Sequence, residues 1–190
     1  MLIDKFIPNI IEKTIYDINF SDIYASGKRY ILTDLDNTII PYDLDFPNEK
    51  IKKWFDELNN LGFKVLIVSN NHKERVSKFA NSIGADYIYS AKKPLKFGLK
   101  KALKIIKNKY HNELKLDDIK KKTITLGDQL MTDVFGSNRI KIDSILVHPI
   151  KKKSEHWYTK VNRKLEQHVI KKIKKKYPNI YKEIKEKHEY

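Results

Sequence analysis

The stretch YILTDLDNTII places two carboxylates, Asp34 and Asp36, two residues apart at the end of an apolar run. Further on, Ser69 and Asn70 follow KVLIV, Lys92 and Lys93 stand in YSAKKPL, and Asp128 and Asp133 stand in TLGDQLMTD. Brought to one place, such carboxylates repel each other unless a cation joins them, and a hard divalent ion with oxygen ligands answers that need. The side chain of Asp34, the backbone carbonyl of Asp36 and the side chain of Asp128 would supply three oxygens. Water and a substrate phosphate would complete the octahedral shell that Mg2+ prefers at about 2.0–2.1 Å. Lys93 would hold the phosphate from the opposite side as a point charge, and Ser69 would donate to a phosphoryl oxygen. Asp34 could then attack phosphorus in line and form an aspartyl-phosphate. Asp36 could protonate the leaving alkoxide and later take a proton from the water that cleaves the intermediate. Thr38 is placed to hydrogen-bond this turn. Asp133 reads either as a helix cap or as a partner that orients the metal ligands.

For this chemistry to exist, the chain must carry those residues to one rim. Strand-like runs at Tyr30–Thr33, Lys64–Val68, Tyr87–Tyr89, Thr123–Leu126 and Ser144–Val147 alternate with helical patterns at Glu49–Leu61, Lys73–Ile83, Phe97–Tyr110 and Leu130–Ile140. Apolar residues recur three or four apart in each helix, as Ile51, Trp54, Phe55 and Leu58 do. Strand–helix alternation predicts an α/β domain with a parallel sheet covered on both faces. Ligands of such sheets gather beyond the carboxyl ends of the strands. Acid, hydroxyl, lysine and acid leave four consecutive strands at that end. Taken singly, each has a plainer reading. Ser69 can close a local turn, Asn70 and Asn71 are common turn residues, and the six histidines lack metal-ligand spacing and read as structural or exposed.

Composition sets the outer limits. The 190 residues suffice for one domain with an appendage; cysteine is absent, which excludes disulfides, zinc-thiolate sites and thiol catalysis. No apolar run approaches the roughly 20 residues of a membrane span. The N-terminus reads as a short packed amphipathic helix, with Leu2, Phe6, Ile7, Ile10 and Ile11 on one side, and as a poor signal peptide. Residues 151–190 carry +9 of the net +15. They form a basic helical extension expected to pack on a core spanning residues 1–150. Its pattern runs from His156 to Lys176 with Trp157, Val161, Leu165, Val169 and Ile173 as the apolar stripe. Pro178 breaks the helix before a loosely held last segment.

The run Thr33-Asp34-Leu35-Asp36-Asn37-Thr38 after three apolar residues resembles the first motif of the haloacid-dehalogenase-like (HAD) phosphatase superfamily. Ser69 resembles its second motif, Lys93 before Pro94 its third, and Gly127-Asp128 with Asp133 its fourth. IPNIIEKTIYDINF, LTDLDNT, IVSNN, AKKPL, GDQLMTDVFGSNR and NRKLE together are similar to the YqeG branch of HAD subfamily IIIA, over nearly all of residues 1–176. The resemblance implies a three-layer Rossmann-like sandwich with a five-stranded sheet of order 5-4-1-2-3, and Mg2+ as cofactor. Catalysis falls to Asp34, Asp36 and Lys93, phosphate binding to Thr38, Ser69 and Asn70, and the metal to Asp34, Asp36 and Asp128, with Asp133 behind them. Lys92 stands where many relatives have arginine, which leaves the choice between Lys92 and Lys93 to geometry. The branch is related to the mitochondrial phosphatidylglycerophosphate phosphatase, which implies a phospholipid precursor as substrate.

Spacing adds an independent expectation. Thirty-two positions separate Asp36 from Val68 and twenty-four separate Ser69 from Lys93, so neither gap holds a lid domain and the site should be capless. An open site suits a phosphate carried on something large, such as a lipid head group at an anionic membrane surface, where Trp157 and Tyr158 could sit at the interface. The alternatives are a phosphatase of a soluble sugar phosphate or nucleotide, and a basic RNA- or ribosome-binding module on the same scaffold. The RNA reading lacks aromatic-rich RNP strands, and no DNA partner is expected. The expected location is the cytoplasm, with a peripheral place on the inner membrane face under the lipid reading.

Overall fold

The computed structural model describes residues 2–151 and 157–188, with side chains described for these apart from Leu2 and 157–164. After a 3-10 turn at Leu2–Phe6, the elements in chain order are β1 (Ile10–Glu12), α1 (Phe20–Ala25), β2 (Tyr30–Thr33), α2 (Glu49–Leu61), β3 (Lys64–Val68), α3 (Lys73–Ser82) and β4 (Asp86–Ile88). There follow α4 (Lys96–Tyr110), α5 (Leu116–Lys121), β5 (Thr123–Gly127), a π turn at Leu130–Val134, α6 (Phe135–Asn138), β6 (Asp143–Val147), α7 (Trp157–Lys176) and α8 (Pro178–His188). Among the described residues no helix is long and apolar enough to cross a membrane.

All strands pair in parallel, in the order β1-β6-β5-β2-β3-β4. The expected sheet of five strands is thereby corrected to six, with an order that begins at the N-terminal segment. The five strands read from the sequence lie side by side within it, and β1 adds to the outer edge of β6. Ile10 and Ile11 were expected on one helical side. As successive residues of a strand they face opposite ways: Ile11 joins the cluster under the C-terminal helices, and Ile10 packs against the cluster on the other face.

Both faces of the sheet are apolar because each strand is buried on both sides. Ile31, Val65, Ile67, Ile124, Leu126, Ile145 and Val147 meet the inward stripes of α1, α2 and α3. Tyr30, Leu32, Leu66, Val68 and Ile88 meet α4 and α5. The stripe Ile51, Trp54, Phe55 and Leu58 of α2 is buried as its spacing predicts. Burying each such large side chain contributes about 1.5–3 kcal/mol. Asn48 caps α2, accepting the Ile51 N–H at 2.9 Å. Gly62 ends it at φ 97°, where a Cβ would also meet the Tyr24 hydroxyl at 2.7 Å.

The C-terminal extension covers the β6 side of the sheet. Val169, Ile170, Ile173 and Ile184 pack with Phe6, Ile11, Leu130, Val134 and Leu146. The apolar stripe of α7 is thus shifted from the one expected: Leu165 is exposed and Ile170 takes the inward place. The side chains of Trp157, Tyr158 and Val161, like His156, lie outside the described residues. Pro178 opens α8 as its first residue, a position that has no N–H to lose. That last segment is held rather than loose, since Ile184 and His188 are both buried.

Candidate active site

Register brings the motif residues level. Thr33 of β2 is opposite Ile67 of β3 and Leu126 of β5, so Asp34, Ser69 and Asp128 emerge within two residues of one line at the carboxyl edge. The Asp34 N–H extends this ladder by donating to the Leu126 carbonyl at 2.8 Å. Carboxylate oxygens of Asp34, Asp128 and Asp133 then lie within 4.8 Å of one another.

Lys93 neutralises part of this cluster. Its Nζ lies 2.9 Å from Asp34 Oδ1 and 2.6 Å from Asp133 Oδ1, with the ammonium buried. Burial drives the ammonium toward neutrality, but Asp133 and Asp34 outweigh it, so its pKa ends above the ordinary lysine value. Burial pushes the Asp133 carboxyl up, Lys93 draws it back, Asp34 adds repulsion, and the net direction is upward. Lys92 is exposed, so the choice left open by the sequence falls to Lys93. The amide of Asn70 holds the Lys93 main chain at both ends, accepting its N–H at 2.7 Å and donating to its carbonyl at 3.1 Å. Asn70, expected to bind phosphate, makes this clamp with both ends of its amide.

Thr38 is likewise engaged. Its hydroxyl donates to Asp128 Oδ1 at 3.0 Å, so it holds one of the three clustered carboxylates in place. Ser69 Oγ is buried and accepts the Asn71 N–H at 3.1 Å, the local turn the plain reading allowed, while its own proton remains available to a phosphoryl oxygen.

Asp133 sits on the π turn, not on the continuous helix expected over Leu130–Ile140. The wider turn lets the Gln129 carbonyl take the N–H groups of both Asp133 and Val134, at 3.0 and 3.3 Å. Asp133 Oδ2 returns to the Gln129 N–H and the Thr132 hydroxyl, both at 3.2 Å. The acid therefore closes its own loop and faces the cluster. Gly127 makes room for it: a Cβ there would sit 2.3 Å from Asp133 Cγ.

Arg75, which the sequence reading passed over, shapes the site together with Asn71 and His188, read there as turn and structural residues. Arg75 of α3 is buried and donates from Nε and Nη2 to Asp36 Oδ1 at 3.2 and 3.1 Å. Asn71 Nδ2 donates to Asp36 Oδ2 at 2.9 Å, so both oxygens of Asp36 are occupied. Arg75 stands four residues before Phe79 on the apolar stripe of its helix, and a cation in that place was the available signal. His188, at the end of α8, is buried with Nε2 2.9 Å from the Asp128 carbonyl.

The donor set fits Mg2+. Three carboxylates converge, their oxygens are hard, and among the described residues no histidine or cysteine joins them. Asp34 and Asp128, with the Asp36 carbonyl, would hold the ion. It would supply Lewis-acid neutralisation of charge on a transferring phosphoryl group.

The comparisons agree with this geometry. The haloacid dehalogenase-like hydrolase family matches residues 5–140. The protein called Probable phosphatase YqeG of Bacillus subtilis (strain 168) is 35% identical over 176 residues, covering 93% of this chain and 96% of that one. A solved hypothetical protein of Xanthomonas campestris aligns over 78% of each chain at 12% identity with a TM-score of 0.47, too distant to add to the argument. A buried lysine between two aspartates, a third acid on the neighbouring strand end and a matching relative along nearly the whole length leave one assignment: the chain belongs to the haloacid dehalogenase-like hydrolases and, within them, to the YqeG family.

Proposed function

We propose that this hydrolase is a Mg2+-dependent phosphomonoesterase that removes the terminal phosphate of phosphatidylglycerophosphate through an aspartyl-phosphate on Asp34. The observation that carries the phosphatase reading is Asp34 itself. It stands at the sheet edge with one oxygen 2.9 Å from Lys93 and with Asp128 and Asp133 within 4.8 Å.

An Asp34 oxygen forms the bond to phosphorus as the bond to the glycerol oxygen breaks, and that oxygen takes a proton from Asp36. Asp36, again a carboxylate, removes a proton from water. The water oxygen attacks the phosphoryl group, releasing inorganic phosphate and restoring Asp34. To do this Asp36 rotates out of the clamp made by Arg75 and Asn71. Lys93 and Ser69 hold phosphoryl oxygens throughout.

Support for a lipid comes from the openness of the site and from the resemblance of the sequence to a branch related to a phosphatidylglycerophosphate phosphatase. Between Asp36 and Val68 the chain forms only a loop and α2, and between Ser69 and Lys93 only α3, β4 and their loops. No separate domain stands over the aspartates, so a head group still held in a membrane can reach them. This reading belongs to subfamily IIIA and puts the enzyme in the cytoplasm, against the inner face of the membrane.

The test is phosphate release from phosphatidylglycerophosphate in vesicles beside a panel of soluble sugar phosphates and nucleotides, with and without EDTA. Hydrolysis of the lipid that is lost with EDTA and with Asp34→Asn is the expected result. Turnover confined to soluble esters would remove the lipid from the proposal. Salt-sensitive RNA binding that survives Asp34→Asn, with no phosphate release, would remove the phosphatase.

A further inference from the structure

Nine large apolar side chains remain exposed among the described residues, and seven of them lie on the segments that leave the carboxyl ends of β2, β4 and β6. The four most exposed are Leu44 at 50%, Phe46 at 60%, Leu95 at 54% and Phe97 at 63%. Leu44 and Phe46 belong to the loop that follows Asp34 and Asp36, while Leu95 and Phe97 come directly after Lys93. Because every strand is parallel, both loops stand at the edge of the sheet that holds the candidate active site. A rim that keeps four large apolar side chains at least half exposed is shaped for something other than solvent.

Charge says which occupant. The acids within the first loop are neutralised: Asp43 pairs with Lys151 at 2.7 Å, and Asp45 lies 3.3 Å from Arg75 and 3.7 Å from Lys78. Lys92 and Lys96, beside Leu95 and Phe97, are exposed and have no carboxylate within ion-pair distance among the described residues. The rim therefore presents apolar tips with uncompensated lysines between them. That combination matches an anionic bilayer, where the tips enter the acyl boundary and the ammonium groups stay among the phosphates.

We propose that the Leu44–Phe46 and Leu95–Phe97 tips dock the active-site rim onto an anionic bilayer, turning Asp34 toward the head groups. The proposal rests on the lipid reading above only for what is hydrolysed after docking, not for docking itself. It puts membrane contact at the mouth of the site, where the sequence reading looked to the basic tail and the lysines of the 96–109 helix.

The full-length protein and the variant Leu44→Ser/Phe46→Ser/Leu95→Ser/Phe97→Ser are compared by co-sedimentation with vesicles of phosphatidylcholine mixed with phosphatidylglycerol. The wild type should partition onto the vesicles and the variant roughly tenfold less, since binding follows the apolar area inserted. Hydrolysis of a soluble aryl phosphate and the melting temperature should not change, because the four side chains are half or more exposed and belong to none of the buried core clusters. Equal partitioning of both proteins, or a wild type that ignores anionic vesicles, overturns the proposal. So does light scattering that shows the wild type self-associating, and the variant not, without vesicle binding; the rim would then face a second copy or another protein. If docking follows the four side chains but phosphatidylglycerophosphate in the same vesicles is left intact, docking stands and the substrate assignment falls.

Discussion

His188 donates its Nε2–H to the main-chain carbonyl of Asp128 at 2.9 Å, although sixty positions separate them. The carbonyl can only accept, so the imidazole proton is on Nε2. Glu166 of α7 accepts the Leu130 N–H at 3.0 Å, two residues beyond Asp128. The two C-terminal helices thus grip the loop of one of the three clustered acids from both sides. His148 closes the arrangement, donating from Nδ1 to the His188 carbonyl at 2.9 Å.

Removing that grip should be costly. His188→Ala leaves the buried Asp128 carbonyl without this donor, at a cost of about 1–3 kcal/mol. His188→Gln, which keeps an N–H, should recover part of it. Urea unfolding in metal-free buffer measures the difference, and isothermal titration with Mg2+ should show weaker binding for the alanine variant than for the glutamine one.

Acid should destabilise the same corner of the fold, because protonation would bury a charge on His188. Burial holds the His188 pKa down to about 4, against an ordinary 6.5. Between those values the unfolded chain binds a proton that the folded chain refuses. Stability therefore falls as pH drops from 6.5 to 4, by up to roughly 3 kcal/mol, and this contribution levels off below pH 4. Unfolding midpoints compared for wild type and His188→Gln across that window should show the variant losing less.

Lys93→Met should abolish hydrolysis and also loosen the fold. It leaves Asp34 and Asp133 without their shared cation, and breaking a buried pair in this way costs about 3–5 kcal/mol. Mg2+ should restore part of the lost stability by supplying positive charge at the cluster. Thermal melts with and without the ion read this out.

Gly127→Ala tests how closely the acids are packed. A Cβ 2.3 Å from Asp133 Cγ and 2.6 Å from its Oδ2 must displace that carboxylate, and Lys93 with it. Overpacking of this kind costs about 1–3 kcal/mol. Phosphate release should fall much further than stability does.

Asp36→Asn should separate proton transfer from phosphoryl transfer. An alkyl leaving group needs a proton, and its turnover should drop about 10²–10⁴-fold. An aryl phosphate, whose phenolate leaves unaided, should lose less and show an initial burst as Asp34 is phosphorylated and only slowly released. Stopped-flow absorbance of the phenolate distinguishes the two phases.

The sequence alone marked the ends of β2, β3 and β6, and those of β4 and β5 to within one residue. Burial on both faces makes β2, β3 and β5 largely apolar runs, and the polar residues that follow them mark their exits, so the place of Asp34, Ser69 and Asp128 at one edge was legible. Lys93 was legible to within one residue, because Lys92 and Lys93 look alike until one of them is buried. What the tertiary structure decided are relationships between segments distant in the chain. Arg75 reaches Asp36 across thirty-nine positions, the N-terminal residues add a sixth strand to β6, and His188 reaches Asp128 from the end of α8. The π turn that aims Asp133, and the contacts of Thr38 with Asp128 and of Asn70 with Lys93, have the same origin. Periodicity records which face of an element is buried; it holds no information about which polar partner that face will meet.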